Sequence, residues 1–107
     1  MLPPVHSADN VVGIAATGPE AIQLVEAARP NLVLMDIILE GAMDGIQAAE
    51  QIQDRFHVPV VYVTAYADDT TFDRAKHTRP CGYLVKPYED GELRRMIELA
   101  LHKHYEL

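Results

Sequence analysis

Short apolar runs alternate with longer amphipathic stretches along this chain. Residues 1–9 contain Pro3 and Pro4 and no periodicity, so they read as an irregular lead-in. Val11-Val12-Gly13-Ile14-Ala15 is β-branched and apolar, and predicts a strand. Thr17 then stands where a side-chain oxygen caps a helix start, and Glu20 is spaced to reach back as in a capping box. The helix that follows carries Ala21, Ile22, Leu24, Val25 and Ala28 on one face and stops at Pro30. Leu32-Val33-Leu34-Met35 is apolar without alternation, the pattern of a strand covered on both faces.

After a loop containing Gly41, the spacing of Ile46, Ala49, Ile52 and Phe56 predicts a second helix beginning near Asp44. Pro59-Val60-Val61-Tyr62-Val63-Thr64 reads as the next strand, with proline where a strand begins. A polar helix is expected over roughly 68–77, then a short last strand, Tyr83-Leu84-Val85-Lys86, ending at Pro87. A final helix from about Asp90 presents Leu93, Met96, Ile97, Ala100 and Leu101 to the core. Strands and helices in strict alternation predict an α/β domain with a parallel sheet. At 107 residues the chain is expected to form one domain over 1–107.

Composition narrows the function classes. The formal net charge of -7 repels phosphate backbones and anionic lipid surfaces, so neither nucleic acid nor membrane is an expected partner. The single cysteine, Cys81, excludes an internal disulfide. With only His77 near it in sequence, it falls short of the about four ligands a structural zinc takes. No apolar run approaches the about 20 residues of a membrane span. Met1-Leu2-Pro3-Pro4 lacks the basic stretch and apolar core of a secretory signal, and a cytoplasmic location is expected.

Three of the predicted strands end in a polar residue after an apolar run: Asp36, Thr64 and Lys86. In a parallel sheet the carboxyl ends of the strands share one edge, where ligands collect. A carboxylate nucleophile, a hydroxyl and an ammonium gathered there can receive and neutralise a phosphoryl group. Each residue alone has a plainer explanation, in turn, β-former or solvated strand end. The three in succession, each closing its own strand, point to one site. Gly41 and Gly45 match neither nucleotide-binding fingerprint, and no autonomous enzyme activity is expected.

Leu32-Val33-Leu34-Met35-Asp36-Ile37, Met43-Asp44-Gly45-Ile46, Pro59-Val60-Val61-Tyr62-Val63-Thr64-Ala65 and Gly82-Tyr83-Leu84-Val85-Lys86-Pro87 resemble, in order and spacing, the receiver domains of response regulators and hybrid kinases. The resemblance runs from Val11 to the C-terminus. It implies a flavodoxin-like (CheY-like) fold, with helices on both faces of a parallel sheet, here truncated to four strands and four helices. By that resemblance Asp36 takes a phosphoryl group from a histidine kinase or phosphotransfer protein, Thr64 hydrogen-bonds it, and Lys86 pairs with it. Tyr83 would be the aromatic switch that follows Thr64, and the Lys86–Pro87 peptide would be cis.

Receivers open with a further strand, ending in two acidic residues, and a helix; only ten residues precede Val11 here. The chain therefore reads as an N-terminally incomplete receiver, or as a fragment of a longer protein. Asp9 precedes its strand, which spans about 17 Å, and so lies at the wrong edge to replace the acids. Magnesium would be left with Asp36 and the Ile38 backbone carbonyl, an incomplete set, and slow or absent phosphorylation of this chain alone is expected. The family's strand order, 2-1-3-4-5, puts the missing strand between the Val11 and Leu32 strands, a gap of roughly 9–10 Å. Either the Val11 strand closes beside the Leu32 strand, or it pairs with another chain as a homodimer or strand-swapped dimer. A phosphorylation-independent pseudo-receiver, acting by interaction or dimerisation, is the alternative function.

Overall fold

The computed structural model describes residues 11–12, 15–65 and 68–105, of which 11–12 and 103–105 are described by their backbone alone. Within them, strands β1 (Val11–Val12), β2 (Leu32–Met35), β3 (Val60–Thr64) and β4 (Gly82–Val85) alternate with helices α1 (Gly18–Ala28), α2 (Gly45–Phe56), α3 (Asp69–Lys76) and α4 (Asp90–Tyr105). The strands form one parallel sheet in the order β1-β2-β3-β4. The lead-in over 1–9 lies outside the described residues.

Helix boundaries follow local chemistry. Thr17 caps α1 by accepting from the Glu20 backbone N–H, but the Glu20 carboxylate reaches back to Ala16 N, one residue before the expected partner. Asp44 caps α2 in a complete capping box with Gln47, each side chain accepting from the other's backbone N–H. Asp68 caps α3 by accepting from Thr71 N. Arg29 and His57 take left-handed conformations just past α1 and α2, at φ 47 and 56, and their N–H groups close onto Val25 O and Gln53 O.

The expected unalternating strands have a simple origin: every residue of β2 and β3 is buried. Period 2 still divides them between two layers. Val33, Met35, Val60 and Tyr62 pack in one cluster with Ile22 and Val25 of α1, Ile46, Ala49 and Ile52 of α2, and Ala75 of α3. Leu32, Leu34, Val61 and Val63 face the other way, onto Ile97 and Ala100 of α4, with Leu93, Met96 and Leu101 half-buried beside them. Helices thus cover both faces, three on one and α4 on the other.

The gap expected between the first two strands is closed within the chain. β1 lies directly against β2, with Val11 opposite Leu32 and Val12 opposite Val33. The contact continues past the strands, where Glu40 N donates to Ala16 O and Thr17 bridges to Glu40. Of the expected strand Val11–Ala15, the described part is Val11–Val12; Gly13 and Ile14 lie outside the described residues, and Ala15 is buried but not in a strand. The last strand is shifted back by one residue, so that Lys86 follows it rather than ending it.

Candidate phosphoacceptor site

Because all strands run parallel, the ends of β2, β3 and β4 meet at one edge. Asp36 follows the last residue of β2, Thr64 ends β3, and Lys86 follows the last residue of β4. The sheet register sets Met35 beside Tyr62 and Thr64 beside Val85. Lys86 N donates to Thr64 O at 2.8 Å, which fastens the two strand ends together. The Lys86 ammonium then reaches across to Asp36, Nζ to Oδ2 at 3.0 Å. The side chains are 38% and 19% exposed respectively, so the pair is partly shielded from screening but open to a donor from solvent.

The other carboxylate oxygen of Asp36, Oδ1, accepts the Ile38 N–H at 3.1 Å. Ile38 itself is an exposed apolar side chain next to the site. Thr64 is fully buried at the strand end. The Lys86–Pro87 peptide is cis.

Gly45 supports this arrangement. Its N–H donates to Ile37 O at 2.7 Å, and a Cβ built on it would lie 1.9 Å from the Asp36 carbonyl oxygen. The α2 N-terminus can approach the Asp36 backbone so closely only without a side chain there. The sequence signal was a glycine immediately after a capping aspartate.

Tyr83 stands opposite Tyr62 in the register, half-buried between two rings. Phe72 of α3 meets it edge-on at 5.1 Å, and Tyr62 of β3 at 6.2 Å. Burial raises the Tyr83 phenol above its ordinary pKa, with the Asp68 carboxylate adding to the shift. Burial also pushes the Tyr62 phenol up to about 12. Phe72 and Tyr62 were not expected beside Tyr83; the sheet register brings Tyr62 to it, and the packing of α3 brings Phe72.

Asp44 is committed elsewhere. One carboxylate oxygen caps α2, and Oδ2 takes Arg74 of α3 at 2.7 Å. Burial alone would raise its pKa, but the Gln47 N–H and the Arg74 guanidinium outweigh this and hold it below the usual carboxylate value. Glu40 is exposed and held by its backbone to the β1–α1 loop. Asp9 lies outside the described residues. Among the described residues no group of three or more His, Cys, Asp or Glu side chains could hold a metal ion. Asp36 meanwhile spends one oxygen on Lys86 and the other on the Ile38 N–H. These donors do not fit a magnesium site, which wants near-octahedral oxygen ligation.

The parallel α/β sheet thus brings a lysine-paired aspartate and a buried threonine to its carboxyl edge, with a tyrosine held edge-on between two rings further back along the strands. The family model for the response regulator receiver domain matches residues 5–98, and the chain belongs to that family, the receivers of two-component signalling. It is 37% identical over 98 residues to the transcriptional regulatory protein PdtaR of Mycobacterium tuberculosis, covering 92% of this chain and 47% of that protein. It is 33% identical over 93 residues to the phyllosphere-induced regulator PhyR of Methylorubrum extorquens, covering 86% of this chain and 34% of that one. The chain thus spans half or less of these relatives' length. Among solved structures, the signal receiver domain of a modulated diguanylate cyclase from Desulfovibrio desulfuricans G20 superposes with a TM-score of 0.82 at 30% identity, over 90% of this chain and 95% of that one. A CheY-like receiver from Methanospirillum hungatei JF-1, at 21% identity, shares the fold with a TM-score of 0.83 over 94% and 98% of the two chains. Among the described residues no helix is long and apolar enough to cross a membrane.

Proposed function

We propose that Asp36 accepts a phosphoryl group from the phosphohistidine of a histidine kinase or phosphotransfer protein, in the cytoplasm, and that Thr64 and Tyr83 relay its arrival. The observation that carries this reading is the 3.0 Å contact between Lys86 Nζ and Asp36 Oδ2 at the edge where β3 delivers Thr64. A carboxylate oxygen of Asp36 attacks phosphorus; the O–P bond forms as the P–N bond breaks, and the electron pair leaves on the donor imidazole, which takes up a proton. Lys86 stays beside the new acyl phosphate and offsets its charge. Thr64, from the adjoining strand end, hydrogen-bonds a phosphoryl oxygen, and the rearrangement passes to the Tyr83 ring. The chain acts as the recipient of the group, not as an enzyme turning over a separate substrate.

The transfer is slow. With Lys86 as the cation matched to Asp36 and no metal-holding group among the described residues, the site gives an anionic donor little compensation. That same observation favours a second reading, a receiver fold that signals by binding or dimerising without phosphate. Intact mass after incubation with magnesium and a small phosphodonor separates the two, with Asp36→Asn as control. One phosphoryl adduct, slow to appear and absent from the control, is expected. No adduct in a folded sample, together with a phosphate-independent dimer in sedimentation, would establish the second reading instead.

A further inference from the structure

Tyr62, in the middle of β3, carries a polar group and is fully buried. A buried phenol needs a partner, and the Tyr62 hydroxyl lies 2.8 Å from Thr78 Oγ1. Thr78 Oγ1 in turn donates to Ala75 O at 2.6 Å. A hydroxyl has one hydrogen, so with Thr78's given to Ala75 the hydrogen between the two side chains is Tyr62's. The result is a one-way thread, Tyr62 to Thr78 to Ala75, running from the middle of β3 into the last turn of α3. Thr78 N also donates to Ala75 O, and His77 N to Asp73 O, so the end of the helix is built around this anchor.

At its other side the Tyr62 ring is the inner wall against which Tyr83 stands, while Phe72, on the first half of α3, is the outer wall. Helix α3 is thus fixed at two points to the same pair of tyrosines: by a hydrogen bond at its C-terminal end and by a ring stack nearer its start. An eight-residue helix is about 12 Å long, short enough to move as one body about a fixed end.

We propose that Tyr62 and Thr78 are positioning residues: their hydrogen bond is the pivot on which α3 turns, and through it the anchorage of α3 sets the orientation of Tyr83 between Tyr62 and Phe72. The proposal rests on Tyr83 being the group that signals, but its test needs no phosphate. If α3 loses its pivot, Phe72 shifts and the Tyr83 ring loses its fixed edge-on setting, even with Asp36 untouched.

The test uses the unphosphorylated full chain and three variants: Thr78→Val, Thr78→Ser and Tyr62→Phe. Aromatic NMR resonances of Tyr83 and Phe72 report ring geometry, and amide hydrogen exchange reports the anchor. Thr78→Val, which leaves both walls of the stack chemically intact, is expected to move the Tyr83 and Phe72 ring resonances. It should also speed exchange at His77 and Thr78 about fivefold, the loss of one ordinary hydrogen bond. Tyr62→Phe should speed the same amides similarly, and Thr78→Ser should match the wild type in both measurements. Exchange at Val33 and Cys81, whose N–H groups donate to Pro59 O and Val60 O, should stay unchanged. Acceleration spread equally to Val33 and Cys81 would mean a general loss of core stability and overturn the proposal. So would unmoved Tyr83 and Phe72 resonances in Thr78→Val, or a Thr78→Ser variant that behaves like Thr78→Val. A missing phosphoryl adduct on Asp36, by contrast, would leave these results standing and remove only the reading of Tyr83 as a switch.

Discussion

At the scale of single residues, the site depends on what is absent at Gly45 as much as on what Asp36 and Lys86 supply. Asp36 is held at both oxygens, by the Ile38 N–H and the Lys86 ammonium, and its own carbonyl oxygen sits against the α2 N-terminus. A methyl group at Gly45 has no room, since the obstruction is backbone and cannot rotate away. Gly45→Ala is therefore expected to lower stability by about 1–3 kcal/mol, the usual cost of overpacking. It should also displace Asp36 from Lys86, so that the variant forms no phosphoryl adduct even where it remains folded. Urea unfolding and intact mass on the same preparation check both halves; a Gly45→Ala variant phosphorylated like the wild type would contradict the geometry.

At the scale of elements, the capping aspartate of α2 does two tasks. Its cap on the Gln47 N–H starts the helix that follows Asp36, and its pair with Arg74 ties that helix start to α3. Asp44→Ala removes both and should cost about 1–2 kcal/mol. Asp44→Asn keeps the cap and loses the charge, so its cost should be smaller and should fade with added salt, because Arg74 is half exposed. The pH dependence has a definite sign. Asp44's folded pKa lies below its unfolded value near 3.8, so its charged form is favoured by folding. Its contribution is full above that unfolded value and is lost as the pH falls through the lowered folded one. The stability difference between wild type and Asp44→Asn, measured by urea unfolding, should hold steady from neutral pH to about 4 and shrink below it. A difference that grew on acidification would reverse the assignment.

Across the whole molecule, β2 and β3 supply both core layers at once. Alternate residues of the same strands pack against α1, α2 and α3 on one face and against α4 on the other. Neither layer can loosen without unseating the strands the other needs, which is the condition for one cooperative transition. Ile52→Ala on the first face and Ile97→Ala on the second, both fully buried, should each cost about 2–5 kcal/mol. Circular dichroism and tyrosine fluorescence should give one shared midpoint in each variant. Separate midpoints in Ile97→Ala would show that α4 detaches on its own.

Much of this was legible in the amino-acid order, and the reason is local. Apolar spacing is set within a few residues, so the element order, the core positions Ile46, Ala49, Ile52, Ile97 and Ala100, and the cap at Thr17 could all be read directly. The strand-end residues Asp36, Thr64 and Lys86 could be placed at one edge because parallel strands share a direction. Contacts between elements could not be read this way. Val11–Val12 is equally apolar whether it lies beside β2 or on another chain, and only the packed sheet decides for β2. Asp44 looks the same in sequence as any carboxylate near the site until Arg74, 30 residues away, claims it. The Tyr62–Thr78 bond spans 16 residues and has no periodic signature. Such pairs are decided by which side chains the burial of β2 and β3 forces together, and by the requirement that each buried polar atom among them find a partner.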